Sequence, residues 1–163
     1  MKLLDGKTIS EAVKNEIKKE VASLIDAGQR APHLVAVLVG NDPASQSYVA
    51  SKDKACKSIG MTSSLYLLEE TISEQELLKT IDFLNNDPDV DGFIVQQPLP
   101  KHINADRILE AINPEKDVDG FHPANVGKMA LGLDTFLPAT PYGIMELLER
   151  YDIQTEGKHV VVL

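Results

Sequence analysis

The 163-residue sequence has one cysteine, Cys56, and no tryptophan. A single thiol excludes an intrachain disulfide and any zinc site of paired cysteines, and it suits a reducing cytoplasm. Basic residues are also scarce: 16 Lys and Arg stand against 25 Asp and Glu, for a formal charge of −9. Nucleic acids and anionic membranes are held by a basic footprint, so neither is expected as the main partner. Long apolar runs are missing as well. Nowhere do roughly 18 apolar residues follow one another as a spanning helix requires, and "MKLLDGKTIS" meets a glycine and polar residues early. No membrane segment and no signal peptide are expected. The four histidines, His33, His102, His122 and His159, show no ligand spacing, and Asp117 with Asp119 offers too few oxygens for a hard cation, so no metal is expected.

The 43% of hydrophobic residues suffice for one well-packed domain. Val13, Ile17, Val21, Leu24 and Ile25 recur at helical steps between Ser10, a candidate N-cap, and Gly28. "LVAVLVG" (34–40) is a short continuous apolar run, as in a strand buried on both faces. Asp42 and Pro43 then suit an N-cap and first helical position for a helix closing at Gly60. The cycle repeats with a strand at 63–69, a Ser73/Glu76 capping box opening a helix to about Asn85, and a third strand in "DGFIVQQP". Asn104 can cap a short helix through Ile112. The segment 113–137, rich in Gly, Pro, Asn and Asp, reads as a long loop, and such loops often carry function. Thr140 and Pro141 suit the start of a helix ending near Tyr151, and "GKHVVVL" (157–163) reads as a further strand. This alternation predicts an α/β domain of three layers, a mostly parallel sheet covered by helices. Because the last strand has no helix after it, the chain is expected to be part of a longer protein.

Open parallel sheets bind ligands beyond the carboxyl ends of their strands. Tyr48 and Lys52 follow the first buried strand, Gln96 and Gln97 end the third, and Asp117 and Asp119 lie in the long loop. At about 100° per residue, Tyr48, Lys52, Ala55 and Ile59 share one stripe, while Asp53, Lys54 and Lys57 project elsewhere. An inward lysine must snorkel, pair with an acid, or release its proton more readily than in water. The last case makes it a candidate acid/base group. The plainer readings are a solvated lysine with a tyrosine over its stem, glutamines satisfying a strand end, and an Asp-Gly turn. Tyr-x-x-x-Lys also marks short-chain dehydrogenases, but these need a glycine-rich phosphate turn upstream, and "VGNDPAS" holds one glycine.

Four segments in order, "VGNDPASQSYVASKDKAC" (39–56), "DGFIVQQPLP" (91–100), "PEKDVDGFHPANVGKM" (114–129) and "LPATPYGIMELL" (137–148), resemble the bifunctional methylenetetrahydrofolate dehydrogenase/cyclohydrolase family. The resemblance spans nearly the whole chain. It implies a folate-binding catalytic domain over 1–138, followed at 139–163 by a connecting helix and the first strand of a truncated Rossmann domain for NADP. The cofactor site would lie outside this chain. The resemblance further implies Lys52 as the catalytic lysine, with Tyr48 and Gln96 counted as catalytic beside it and expected to supply hydrogen bonds to it, Tyr48 also packing on the aminobenzoyl part of folate, and Asp119 holding the pterin. Val95, Gln97 and Pro98 belong with them as substrate-binding residues. Two departures stand out: the family usually has Leu at Gln97 and Cys at Ala139.

The implied chemistry is NADP-dependent oxidation of 5,10-methylenetetrahydrofolate and hydrolysis of the methenyl product to 10-formyltetrahydrofolate, in a cytoplasmic homodimer serving one-carbon metabolism and purine biosynthesis. The methenyl substrate is cationic, which favours a neutral lysine as the proton-moving group. Two rival readings remain at this stage: a folate-binding or regulatory module without catalysis, and a different dehydrogenase with a similar N-terminal domain.

Overall fold

The computed structural model describes residues 3–161. Helix α1 spans Gly6–Asp26 and starts a turn earlier than the Ser10 cap predicts. The physical reason is Asp5, whose carboxylate accepts from the backbone N–H groups of Lys7 and Thr8, leaving Ser10 inside the helix. Strand β1 (His33–Val39) follows, then α2 (Pro43–Ser58), β2 (Thr62–Leu68), α3 (Glu74–Asn86) and β3 (Gly92–Val95). The Ser73/Glu76 capping box forms as expected at the start of α3.

The strands make one parallel sheet in the order β2-β1-β3, so β1 is central. Five of its seven residues, Val35–Val39, are buried because both faces are covered. Val35, Val37 and Val39 join Phe93 and Val95 on one face, against Leu77, Ile81 and Leu84 of α3. Ala36, Leu38 and Ile94 point the other way, onto Val49 of α2. Each such aliphatic side chain contributes roughly 1.5–3 kcal/mol on burial. Two apolar faces on one strand thus produce the predicted three layers.

Helix α4 (Ala105–Glu110) has its expected Asn104 cap, whose side chain accepts from Asp106 and Arg107. The expected loop over 113–137 is interrupted by an unforeseen helix, α5 (Pro123–Ala130). His122 caps it, its Nδ1 accepting from the Ala124 N–H, and Pro123 takes the first position, where a missing N–H costs nothing. Histidine is not among the usual caps, and Gly127 interrupts the periodicity, which is why the pattern reads as loop.

Helix α6 (Ala139–Arg150) begins two residues before the Thr140/Pro141 expectation. Pro138 occupies the cap position with non-helical backbone, and Pro141 fits inside the first turn, whose N–H groups need no helical acceptor. Arg150 closes α6 onto α1 by a bidentate pair with Glu16 at 2.6 and 2.7 Å, and the Asp5 N–H donates to the Tyr151 hydroxyl at 2.9 Å. The strand expected over 157–163 is not formed across 158–161, where no second strand offers hydrogen-bond partners among the described residues. Its last two positions, Val162 and Leu163, lie outside them.

Candidate active site

A cavity of about 520 Å³ opens at the carboxyl end of β3, beside α2. Phe93, Ile94, Val95, Ile108, Leu109 and Ile112 form much of its apolar wall. Tyr48, Lys52, Gln96, Gln97 and Asp119 all line it, so segments far apart in sequence converge at the edge expected. Pro98 does not. The chain leaves the sheet after Val95, and Pro98, joined to Gln97 by a cis peptide, is exposed outside the lining.

The start of α2 sets the lysine's position. The Asp42 carboxylate accepts from the Ser45 N–H at 2.7 Å and holds the first turn. The buried stripe of α2 is Ser45, Val49 and Cys56, continued by Ile59. This corrects the expected stripe of Tyr48, Lys52, Ala55 and Ile59. Tyr48 is 65% exposed and Lys52 half-buried, because they sit on the flank of α2 that borders the cavity while the sheet covers the next flank. Lys54 is exposed, and Lys57 bonds Asp53 at 2.8 Å.

Of the three fates open to an inward lysine, the geometry shows pairing. Lys52 Nζ lies 4.0 Å from Asp119 Oδ1, with the two side chains 37% and 28% exposed. Burial raises the Asp119 carboxyl above its ordinary value; Lys52 pulls it back and neighbouring Asp117 pushes it further up. Lys52 hydrogen-bonds to neither Tyr48 nor Gln96. Instead the Gln96 Nε2 donates to the Gln97 carbonyl at 2.8 Å, while Gln96 Oε1 is buried without a partner. A buried acceptor left unpaired costs free energy until a donor arrives, so this oxygen is ready for a ligand N–H or O–H.

The two acids of "DVDG" have separate duties. Asp117 is buried and paired with Phe93 as an added bridge beside β3, and its Oδ2 accepts from the His122 N–H at 2.7 Å and from Asn125 Nδ2 at 2.9 Å. Asp119, two residues on, keeps its carboxylate for the cavity. Lys116 anchors the same loop by donating to the carbonyls of Leu84 and Asp87, at the C-terminal end of α3. Gly120 has φ +70°, and a Cβ there would meet the backbone of Leu137 and Pro138 at 2.5–2.7 Å. Sequence reasoning missed Lys116, Asn125 and Phe121, which also lines the cavity. The one available signal was their place in the motif around Asp119. Ala139 and Thr140 complete the lining from α6, Ala139 offering only a methyl group. Among the described residues, no group of three His, Cys, Asp or Glu is placed to hold a metal, and no helix is long and apolar enough to cross a membrane.

A family model described as the catalytic domain of tetrahydrofolate dehydrogenase/cyclohydrolase matches residues 4–119. The bifunctional protein FolD of Flavobacterium johnsoniae is 60% identical over 163 residues, covering all of this chain and 55% of that protein. The bifunctional FolD methylenetetrahydrofolate dehydrogenase/cyclohydrolase of Campylobacter jejuni superposes with a TM-score of 0.94 at 52% identity, covering 97% of this chain and 56% of that one. The Trypanosoma brucei enzyme, solved with NADP cofactor and inhibitor, gives 0.91 at 32% identity, over 94% and 53%. The chain spans about half the length of the curated relatives it matches.

Proposed function

The chain belongs to the tetrahydrofolate dehydrogenase/cyclohydrolase family, and from that premise we propose that it is the folate-binding, catalytic part of a bifunctional enzyme. The complete protein would oxidise 5,10-methylenetetrahydrofolate to the methenyl form with NADP and hydrolyse that to 10-formyltetrahydrofolate. The observation that carries the reading is the pair of Lys52 and Asp119, facing each other at 4.0 Å in a cavity that Gln96 also lines.

Each group suits a part of the substrate. A carboxylate accepts two hydrogen bonds, so Asp119 reads the N–H donors on the pterin edge. The exposed ring of Tyr48 offers a flat face to the aminobenzoyl group. Gln96 Oε1 accepts from a donor on the reacting assembly. In ring opening, water adds to the methenyl carbon and the bond from that carbon to N5 breaks. Lys52 acts once Asp119 has turned to the pterin and the ammonium has given up its proton: the neutral amine takes a proton from the attacking water and returns one to N5, and one proton is released by the ring-opening step overall.

NADP, when bound, supplies the hydride acceptor. The described residues do not fit it. The turn after β1 has Gly40 as its single glycine, and Asp42 already occupies the α2 N-terminus with its own carboxylate, where a phosphate would need free N–H groups. No hydride step is therefore assigned to these side chains. We place the cofactor in the remaining half of the protein, with 139–163 as the connecting helix and a segment that would become a strand only beside the other strands of that domain. Cytoplasmic localisation, a homodimeric assembly and a supply of formyl groups to purine biosynthesis belong to the same reading, supported by the single buried thiol of Cys56 and by family membership.

The test is Lys52→Met in the full protein. Ring opening is expected to fall at least about 100-fold while folate binding persists; near-normal cyclohydrolase turnover would remove Lys52 from this role. Asp119→Ala is expected to weaken folate binding itself. A protein that binds folate yet leaves the methenyl ring closed would be a binding module.

A further inference from the structure

We infer that Asn125 is a positioning residue for the folate site, acting with Thr135 to fix the distance between two sides of the cavity. Asn125 is 1% exposed, and its amide is fully used. Nδ2 donates to the Pro114 carbonyl and to Asp117 Oδ2, both at 2.9 Å, and Oδ1 accepts from the Thr135 hydroxyl at 2.8 Å. Asp117 Oδ2 also accepts from the His122 N–H. One side chain thus gathers residues 114, 117 and 135, and Asp117 in turn holds residue 122.

Each of these contacts leads to the cavity. Asp119 stands two residues beyond Asp117 and faces Lys52. Beyond Thr135 the chain runs through Leu137, whose backbone lies against Gly120, to Ala139 and Thr140 in the cavity lining. The loop bearing Asp119 and the segment entering α6 are joined at Gly120 by close approach and at Asn125 by hydrogen bonds. The amide suits this place because it needs two donors and one acceptor at once. A carboxylate would set a second negative charge against Asp117, and a hydroxyl has only one hydrogen to donate where two are needed.

The inference rests on the proposed folate role of Asp119, and its test separates the two. Thr135→Val keeps the side-chain shape and removes the hydroxyl, leaving Asn125 Oδ1 unpaired; Thr135→Ser restores the donor, and Thr135→Ala repeats the deletion should valine fail to fold. In the full chain, hydrogen exchange at the Gly120 and His122 amides without ligand is expected to quicken in Thr135→Val and return toward the parent rate in Thr135→Ser. The tetrahydrofolate dissociation constant should rise about fivefold in the first variant and stay within about twofold in the second. A lowered melting temperature with exchange and affinity unchanged would make the network purely structural and overturn the inference. If the parent protein binds no tetrahydrofolate, the folate reading fails, and the exchange rates still decide whether Asn125 and Thr135 position the loop.

Discussion

Asp119 is a carboxylate held where burial opposes its charge, with Lys52 only partly offsetting that cost. The consequence for pH has a definite sign. Its folded value is raised above the ordinary 3.8, so the folded state holds the proton more tightly than the unfolded chain. The stability that this provides is complete below the unfolded value. It is lost as pH rises through the folded value, and the penalty is constant above. Asp119→Asn is therefore expected to melt higher than the parent at pH 7, with the gain shrinking as pH falls toward 3.8, and to bind folate more weakly. A lower melting temperature at pH 7 would mean that the pair with Lys52 outweighs burial. Lys52 and Asp119 could be picked out in the sequence because their motifs are local. Asn125 could not, since its importance comes from Pro114, Asp117 and Thr135 meeting at one amide.

Elements were legible wherever a cap and an apolar pattern agreed. The Asp42 cap with Pro43, the Ser73/Glu76 box and the Asn104 cap all mark helix starts that the structure has. The start of α1 and helix α5 differ from the expectation because Asp5 and His122 supply the side-chain caps, while α6 starts after Pro138 with no side-chain cap at all. The turn at Gly120 shows how one such junction supports the site. Gly120→Ala adds a left-handed backbone cost and a Cβ pressed into Leu137 and Pro138. A loss of about 2–4 kcal/mol is expected in urea unfolding, together with weakened folate binding. Unchanged stability would show that the 135–138 segment can yield.

For the molecule as a whole, the carboxyl end of β3 lies at the candidate cavity, and in the turn after β1 the α2 N-terminus is occupied by the Asp42 carboxylate. NADP titrated onto this 163-residue chain is expected to give no saturable binding, whereas tetrahydrofolate binds; saturable NADP binding would put a cofactor site within these residues. Composition, periodicity and caps determined the α/β alternation, the strand buried on both faces and the edge at which Tyr48, Lys52, Gln96 and Asp119 gather, because each depends on short-range pattern. Tertiary structure alone decided the rest. It set Lys52 against Asp119, gave Asp117 to the loop's own hydrogen bonds, stranded Gln96 Oε1, and drew Asn125 under the site. Those outcomes depend on which distant backbone and side-chain groups satisfy one another in three dimensions, and no local pattern carries that pairing.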